Sequence, residues 1–299
     1  MQTVTYQRAS TVNEAIALLS DGGENARVLA GGTDIIVQAR ERARTVDSFV
    51  DIKHIPELMT FNYNTSDGLS VGAATPVYLL YNDNDIQTHY PALVEAITVI
   101  GGTAIQGRAS LGGNLCNSSP AGDSLTSMMA LGAIANIAGP NGERDVAVSE
   151  FFTGPGRNIL DLGEFVVAIS FATPPANSGA AWQRFIPRNE MDIAVVGARG
   201  MRAADDVHII CQRQLRQRLD DVRGMFGQAV DGLHGVQLLR LEGEKRQGEQ
   251  LRKHHEVAVI VRRDIDEIFD VADELVEILY RPCLQLDGGE AHGIDAARN

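Results

Sequence analysis

Two pairs of adjacent glycines, Gly31–Gly32 in "RVLAGGTDIIVQAR" and Gly112–Gly113 in "RASLGGNLCNSSPAGDS", each stand between an apolar run and a polar, helix-like stretch. Glycine tolerates positive φ and lacks the Cβ that would keep an anionic oxygen away from backbone N–H groups. A turn of this kind presents successive amides to a phosphate, and a following helix adds the partial positive charge of its N-terminus. Leu29, Ala30, Gly31, Gly32, Thr33 and Asp34 form one candidate loop, and Ser110, Leu111, Gly112, Gly113 and Asn114 form the second. Together they have the make-up to hold the two phosphates of one dinucleotide from two sides. A glycine pair serving only a tight turn is the competing reading, and the residues alone leave it open.

Other chemistries find less support. Cys116, Cys211 and Cys283 are scattered and form no CxxC pair, which argues against an iron–sulfur cluster or structural zinc within this chain. Cys116 is read as a small apolar residue rather than a redox thiol. No GxxxxGK[ST] is present, and no nucleophile–base arrangement stands out. A formal net charge of −13 argues against nucleic acid, whose phosphates need a concentrated positive surface. The 44% hydrophobic and 22% charged composition is that of an ordinary globular protein. No apolar stretch reaches spanning length and the N-terminus has no basic-then-apolar pattern, so a cytoplasmic location is the expectation.

The elements that would position the glycine pairs follow from periodicity. "TVTYQRAS" predicts a strand, and Thr11 with Glu14 forms a capping box ahead of an amphipathic helix. "ARVLA" predicts a buried strand leading into Gly31–Gly32, "TDIIVQARER" a helix and "SFVDI" a further strand, closing a β-α-β-α-β unit by about residue 57. A hairpin with an Asp67–Gly68 turn follows, then a helix opened by Pro91. After the second glycine pair come a helix in "DSLTSMMALGA", strands flanking Pro140–Asn141–Gly142, and the longer strand "GEFVVAISFA". "PPANSG" reads as a linker, with strands in "AAWQRFIPR" and "MDIAVVGA" beyond it. Past about Gly200 the runs "ICQRQLRQRLDDVRG" and "GEKRQGEQLRKHHE" are heavily charged, "IDEIFDVADELVEIL" predicts a helix, and the last residues read as a disordered tail.

The segments "RVLAGGTDIIVQAR", "VDIKHIPEL", "IGGTAIQGRASLGGNLCNSSPAGDS", "FFTGPGRNIL" and "RNEMDIAVVG", in this order and spacing, resemble the FAD-binding (medium) subunit of molybdenum hydroxylases, the group of xanthine dehydrogenase and carbon monoxide dehydrogenase. The resemblance implies an α+β fold: a two-subdomain FAD-binding domain of the vanillyl-alcohol-oxidase (PCMH) type over residues 1–176, divided at about 57, and a C-terminal α+β domain over 177–299. It implies FAD on this chain, with the molybdenum cofactor and [2Fe–2S] clusters on a large and a small partner subunit, and NAD, oxygen or a quinone as electron acceptor. Residues 29–34 would wrap the FAD pyrophosphate, and 110–114 would cover its other side and reach toward the ribityl chain. Asp123 falls at an acid near the flavin, Phe165 at a position packing near the isoalloxazine ring, and Arg184 where relatives carry a cation close to it. Helix-start, core and strand-end roles are the competing readings of these three.

The resemblance stops after "MDIAVVGA", which implies either a divergent, poorly ordered C-terminal domain or a shift of reading frame near Ala198. Two other functions stay open: a self-contained flavin reductase resembling UDP-N-acetylmuramate dehydrogenase, and a non-catalytic assembly subunit that has lost flavin.

Overall fold

The computed structural model describes residues 3–176, 178–185, 193, 196–203, 206–213, 236–240 and 257–261. The first unit runs β1 (Thr5–Arg8), α1 (Val12–Gly22), β2 (Ala26–Leu29), α2 (Ile35–Arg40) and β3 (Ser48–Asp51), its strands parallel in the order β1-β3-β2. Thr11 Oγ1 accepts the Glu14 N–H at 3.1 Å and Glu14 Oε2 accepts the Ser10 N–H at 2.7 Å, so both ends of the capping box are used. Ala15 and Leu19 on the inner face of α1 pack with Val50 and Ile52.

The second unit opens with the hairpin β4 (Phe61–Asn64) and β5 (Gly68–Gly72). Asn64 Oδ1 accepts the N–H of Ser66 and of Asp67, and Gly68 takes φ +87°, which is why glycine stands there. Six helices follow: α3 (Val77–Tyr81), α4 (Asn84–His89), α5 (Pro91–Ile97), α6 (Thr103–Gln106), α7 (Leu111–Asn117) and α8 (Asp123–Ala130). The chain returns through β6 (Ile134–Gly139), β7 (Gly142–Ala147), the short β8 (Phe152–Gly154) and β9 (Arg157–Asn158), and β10 (Phe165–Phe171). The sheet is antiparallel in the order β4-β5-β10-β6-β7, so the last strand made is the central one. Phe171 lies in the larger core cluster with Leu69, Tyr90 and Phe151, while Phe165, on the same strand, lies in the smaller cluster with Ala15, Val50 and Leu58. β10 thereby ties the two units together.

A third sheet contains β11 (Gly179–Phe185), β12 (Val196–Ala203), β13 (Asp206–Arg213), β14 (Val236–Arg240) and β15 (Val257–Val261), antiparallel in the order β11-β12-β13-β15-β14. Strand pairing therefore continues past Gly200, where the charged runs gave little periodicity to read. The run Val207–Cys211 is apolar and partly β-branched apart from His208, a composition that suits a strand even with charged residues after it. The helix expected in "IDEIFDVADELVEIL" and the expected tail lie outside the described residues.

Candidate cofactor site

The first glycine pair sits in the crossover between β2 and α2, as its sequence predicted. Gly32 takes φ +76°, a left-handed conformation that favours glycine. Gly31 is glycine for a different reason: a Cβ there would run into the backbone carbonyl of Arg108. Asp34 occupies the cap position of α2, but its side chain makes no capping hydrogen bond. The carbonyls of residues 29–32 are all engaged. Leu29 O accepts the Ile52 N–H at 3.3 Å, Ala30 O accepts from Lys53 Nζ at 2.9 Å, Gly31 O from Arg108 Nε at 3.0 Å, and Gly32 O from the Ile36 N–H at 3.4 Å. Its amides are the reverse. The N–H groups of Gly31, Gly32, Thr33 and Asp34 reach no acceptor among the described residues.

The second glycine pair corrects the sequence reading. Gly112 and Gly113 do not form a turn ahead of a helix; they lie inside the first turn of α7, whose cap is Ser110. Ser110 Oγ accepts the Gly113 N–H at 3.1 Å, so the capping preference of serine outweighed the turn preference of the glycines. Gly112 is buried, and a Cβ there would stand 2.5 Å from the Ala73 carbonyl. Gly113 differs from the other three. It is exposed, its φ is not positive, and an added Cβ would meet only Ser110 Oγ, at 3.1 Å. The only internal obstacle to a side chain there is the Ser110 hydroxyl, which would have to shift by a few tenths of an ångström, so packing demands glycine less at Gly113 than at Gly31 or Gly112.

The two glycine segments touch through Gly31 and Arg108, and Gln38 Nε2 on α2 donates to Asn117 Oδ1 on α7 at 3.0 Å. From α7 the contacts continue: Asn114 Oδ1 accepts from Ser124 Oγ at 2.7 Å, beside Asp123 at the start of α8. Asp123 Oδ1 stands 3.6 Å from Arg184 Nη1 on β11, an ion pair too long to be a hydrogen bond, so this buried oxygen accepts no hydrogen bond among the described residues. Burial pushes the Asp123 carboxyl up to about 6, against the opposing pull of Arg184. Arg184 also donates to Val99 O at 3.3 Å. Residues 29–34, 110–114, Asp123 and Arg184 thus form one contiguous line. Leu29 and Leu111 meet it through their backbone, their side chains being buried.

Phe165 stands apart from that line. At 2% exposed it packs among Ala15, Val50, Ile52 and Leu58, and core packing accounts for it. Burial pushes the Cys116 thiol up to about 12, which keeps it neutral. Two residues that sequence reading missed, Lys53 and Arg108, hold the first loop. Lys53 lies in the turn after β3, two residues beyond Asp51, and the local sequence gives no sign of the carbonyls it meets. Among the described residues no group of three or more His, Cys, Asp or Glu could hold a metal ion, and no helix is long and apolar enough to cross a membrane.

The residues fit an anionic dinucleotide: free amides in one loop, an exposed glycine in the helix beside it, and at the far end a carboxylate–guanidinium pair whose buried carboxylate oxygen accepts no hydrogen bond among the described residues. Residues 2–174 match the family described as the FAD binding domain in molybdopterin dehydrogenase, and the chain belongs to that family. It is 36% identical over 194 residues to the xanthine dehydrogenase FAD-binding subunit of Escherichia coli O157:H7, covering 64% of this chain and 66% of that one. It is 31% identical over 193 residues to the carbon monoxide dehydrogenase medium chain of Afipia carboxidovorans, again covering 64% of this chain and 66% of the relative. Among solved structures, reconstituted CO dehydrogenase from Oligotropha carboxidovorans superposes with a TM-score of 0.67 at 28% identity, over 71% of this chain and 75% of that chain. Quinoline 2-oxidoreductase from Pseudomonas putida 86, at 24% identity and a TM-score of 0.66 over 71% of this chain and 76% of that one, shares the fold.

Proposed function

We propose that this chain is the FAD-binding, electron-transferring subunit of a molybdenum hydroxylase complex, with the molybdenum cofactor and [2Fe–2S] clusters on partner chains. Gly113 carries the reading: it is an exposed helical glycine whose added side chain would meet only the Ser110 hydroxyl within the protein. The relatives named as FAD-binding subunit and medium chain support the same assignment. FAD, when bound, supplies the chemistry that lets electrons be taken up and passed on. The chain's own residues bind and orient it. The unused amides of Gly31, Gly32, Thr33 and Asp34 serve the pyrophosphate, Ser110–Asn114 close over it, and the Asp123–Arg184 pair lies at the flavin end. In this assignment the substrate is oxidised on the molybdenum-bearing partner, and this chain serves the transfer onward to NAD, oxygen or a quinone.

Gly113→Ala tests the reading because its effect on the cofactor should far exceed its effect on the fold. In the flavin-free form the variant should keep the parent's stability to within about 1 kcal/mol, the gain in helix propensity being offset by the 3.1 Å approach to Ser110 Oγ. Its FAD affinity, measured by titrating the flavin-free protein, should fall at least about tenfold as the methyl group intrudes on the ligand. Acid precipitation should release all the flavin, since the proposed contacts are non-covalent. Unchanged FAD affinity in the folded variant overturns the assignment of α7 to the cofactor.

A further inference from the structure

A trans peptide unit points its C=O and its N–H in opposite directions, so a partner that pins one fixes the aim of the other. The Ala30 carbonyl belongs to the same peptide unit as the Gly31 N–H, and the Gly31 carbonyl to that of the Gly32 N–H. Both carbonyls are held by side-chain cations: Ala30 O by Lys53 Nζ at 2.9 Å and Gly31 O by Arg108 Nε at 3.0 Å. Lys53 Nζ also lies 3.5 Å from Leu29 O. Neither cation belongs to the loop it grips.

Lys53 is itself held in place. Its Nζ donates to Asp51 Oδ1 at 2.7 Å, and its backbone N–H donates to the same oxygen at 3.0 Å. Asp51 is buried, and its second oxygen accepts from Tyr6 OH at 2.6 Å. Burial alone would raise this carboxyl, but the hydrogen bonds from Lys53 and Tyr6 bring it below its ordinary value, so it remains an anion facing the ammonium. Charge-assisted bonds of this kind are stronger than neutral ones, which suits a group that must fix backbone direction.

We infer that Lys53, aligned by Asp51, and Arg108 are positioning residues for the cofactor: by gripping the carbonyls of Ala30 and Gly31 they aim the Gly31 and Gly32 amides at a diphosphate. The inference rests on the loop assignment proposed above and adds the residues that make the loop competent. Lysine and arginine here act through the backbone and need no contact with the phosphates.

The test uses the full-length, flavin-free protein and three probes: FAD, ADP (diphosphate without the ring) and riboflavin (ring without the diphosphate). Lys53→Met and Arg108→Met should each weaken FAD and ADP about tenfold, the scale of one charge-assisted hydrogen bond, and leave riboflavin unchanged. Lys53→Arg should restore most of the loss. Tyr6→Phe, which removes only a restraint on Asp51, should produce a smaller loss with the same preference for ADP over riboflavin, and it serves if Lys53→Met does not fold. Gly32→Val is the reference. If it loses FAD while both methionine variants bind like the parent, the positioning role is overturned and the loop assignment stands. Equal weakening of ADP and riboflavin also overturns it, in favour of a general structural role. If Gly32→Val itself keeps full FAD affinity, the loop assignment has failed.

Discussion

Asp123 meets Arg184 with both side chains 13% exposed, and this pair makes pH a usable probe of the site. The carboxyl has a reference value of 3.8 and is pushed up to about 6 by burial, so between those values the folded chain holds a proton that the unfolded chain has lost. Stability therefore falls as pH rises from about 4 to about 6 and the buried group is forced to ionise. The full penalty, on the order of 2–3 kcal/mol, is in place above that window. Asp123→Asn removes the titration. The stability of the variant relative to the parent should grow by that amount from about pH 4 to pH 6.5 and stay level above it. Denaturant unfolding of the flavin-free protein at a series of pH values measures this, and a difference that does not change with pH would show that Asp123 ionises freely in the fold.

Between elements, the turn that leads into β10 depends on one buried acid. Glu164 has its side chain 8% exposed and receives Arg144 of β7 through both oxygens, Nε at 2.8 Å and Nη2 at 2.7 Å, while also accepting the Asp161 N–H at 2.9 Å. Arg144 holds its carboxyl below the ordinary value, so this contribution to stability is present at neutral pH and is lost as pH falls through the lowered value. Arg144→Met leaves the acid without its half-exposed cation and should cost about 1 kcal/mol near neutrality, with little cost at a pH low enough to protonate Glu164. Chemical denaturation at the two pH values checks both halves of the statement. Elements of this kind divided sharply in how well sequence foretold them. The first β-α-β-α-β unit, the Asp67–Gly68 hairpin and the Pro91 helix each carry a local signal that matches their final state. The second glycine pair carried two conflicting signals, and the cap at Ser110 prevailed over the turn propensity of Gly112 and Gly113 because Gly112 must press against Ala73, a contact 39 positions away that no local pattern encodes. Lys53 and Arg108 escaped notice for a related reason: their partners are backbone carbonyls, which leave no trace in a sequence. The pairing of Asp123 with Arg184 was likewise invisible, though both residues were singled out, since nothing local says that β11 comes to rest beside α8.

At the scale of the whole molecule, β11 is fastened to the FAD-binding portion through Trp182 as well as Arg184. Its indole is 8% exposed, packs with Ala92 and Ala96 of α5, and donates from Nε1 to Thr126 Oγ1 on α8 at 3.1 Å. Its backbone N–H donates to Glu95 Oε2 at 3.0 Å. Trp182→Ala should remove about 3–5 kcal/mol of packing at this junction and free β11 from α5 and α8. Limited proteolysis of the variant should then cleave near residues 174–179 much faster than in the parent, leaving an N-terminal fragment. Equal cleavage rates would show that the junction is held by other contacts. The same substitution removes the chain's single tryptophan, so an indole emission signal in the parent reports this junction alone.

The place of β10 in its sheet has a consequence for the order in which the molecule is made. Its pairing with β5 joins Phe171 to Leu69, about a hundred residues apart, and its other edge receives β6. As a ribosome delivers the chain from its N-terminus, the hairpins β4–β5 and β6–β7 emerge first, each with one edge waiting for a strand not yet synthesised. The nascent protein must keep those edges from pairing with each other, or with a neighbour, until Phe165–Phe171 clears the exit tunnel. The unit carrying α1 is caught in the same wait, since Phe165 fills its core. A chain ending between β7 and β10 therefore leaves β5 and β6 without the strand that separates them and the α1 unit without Phe165, with the two units joined only by contacts such as Gln38–Asn117.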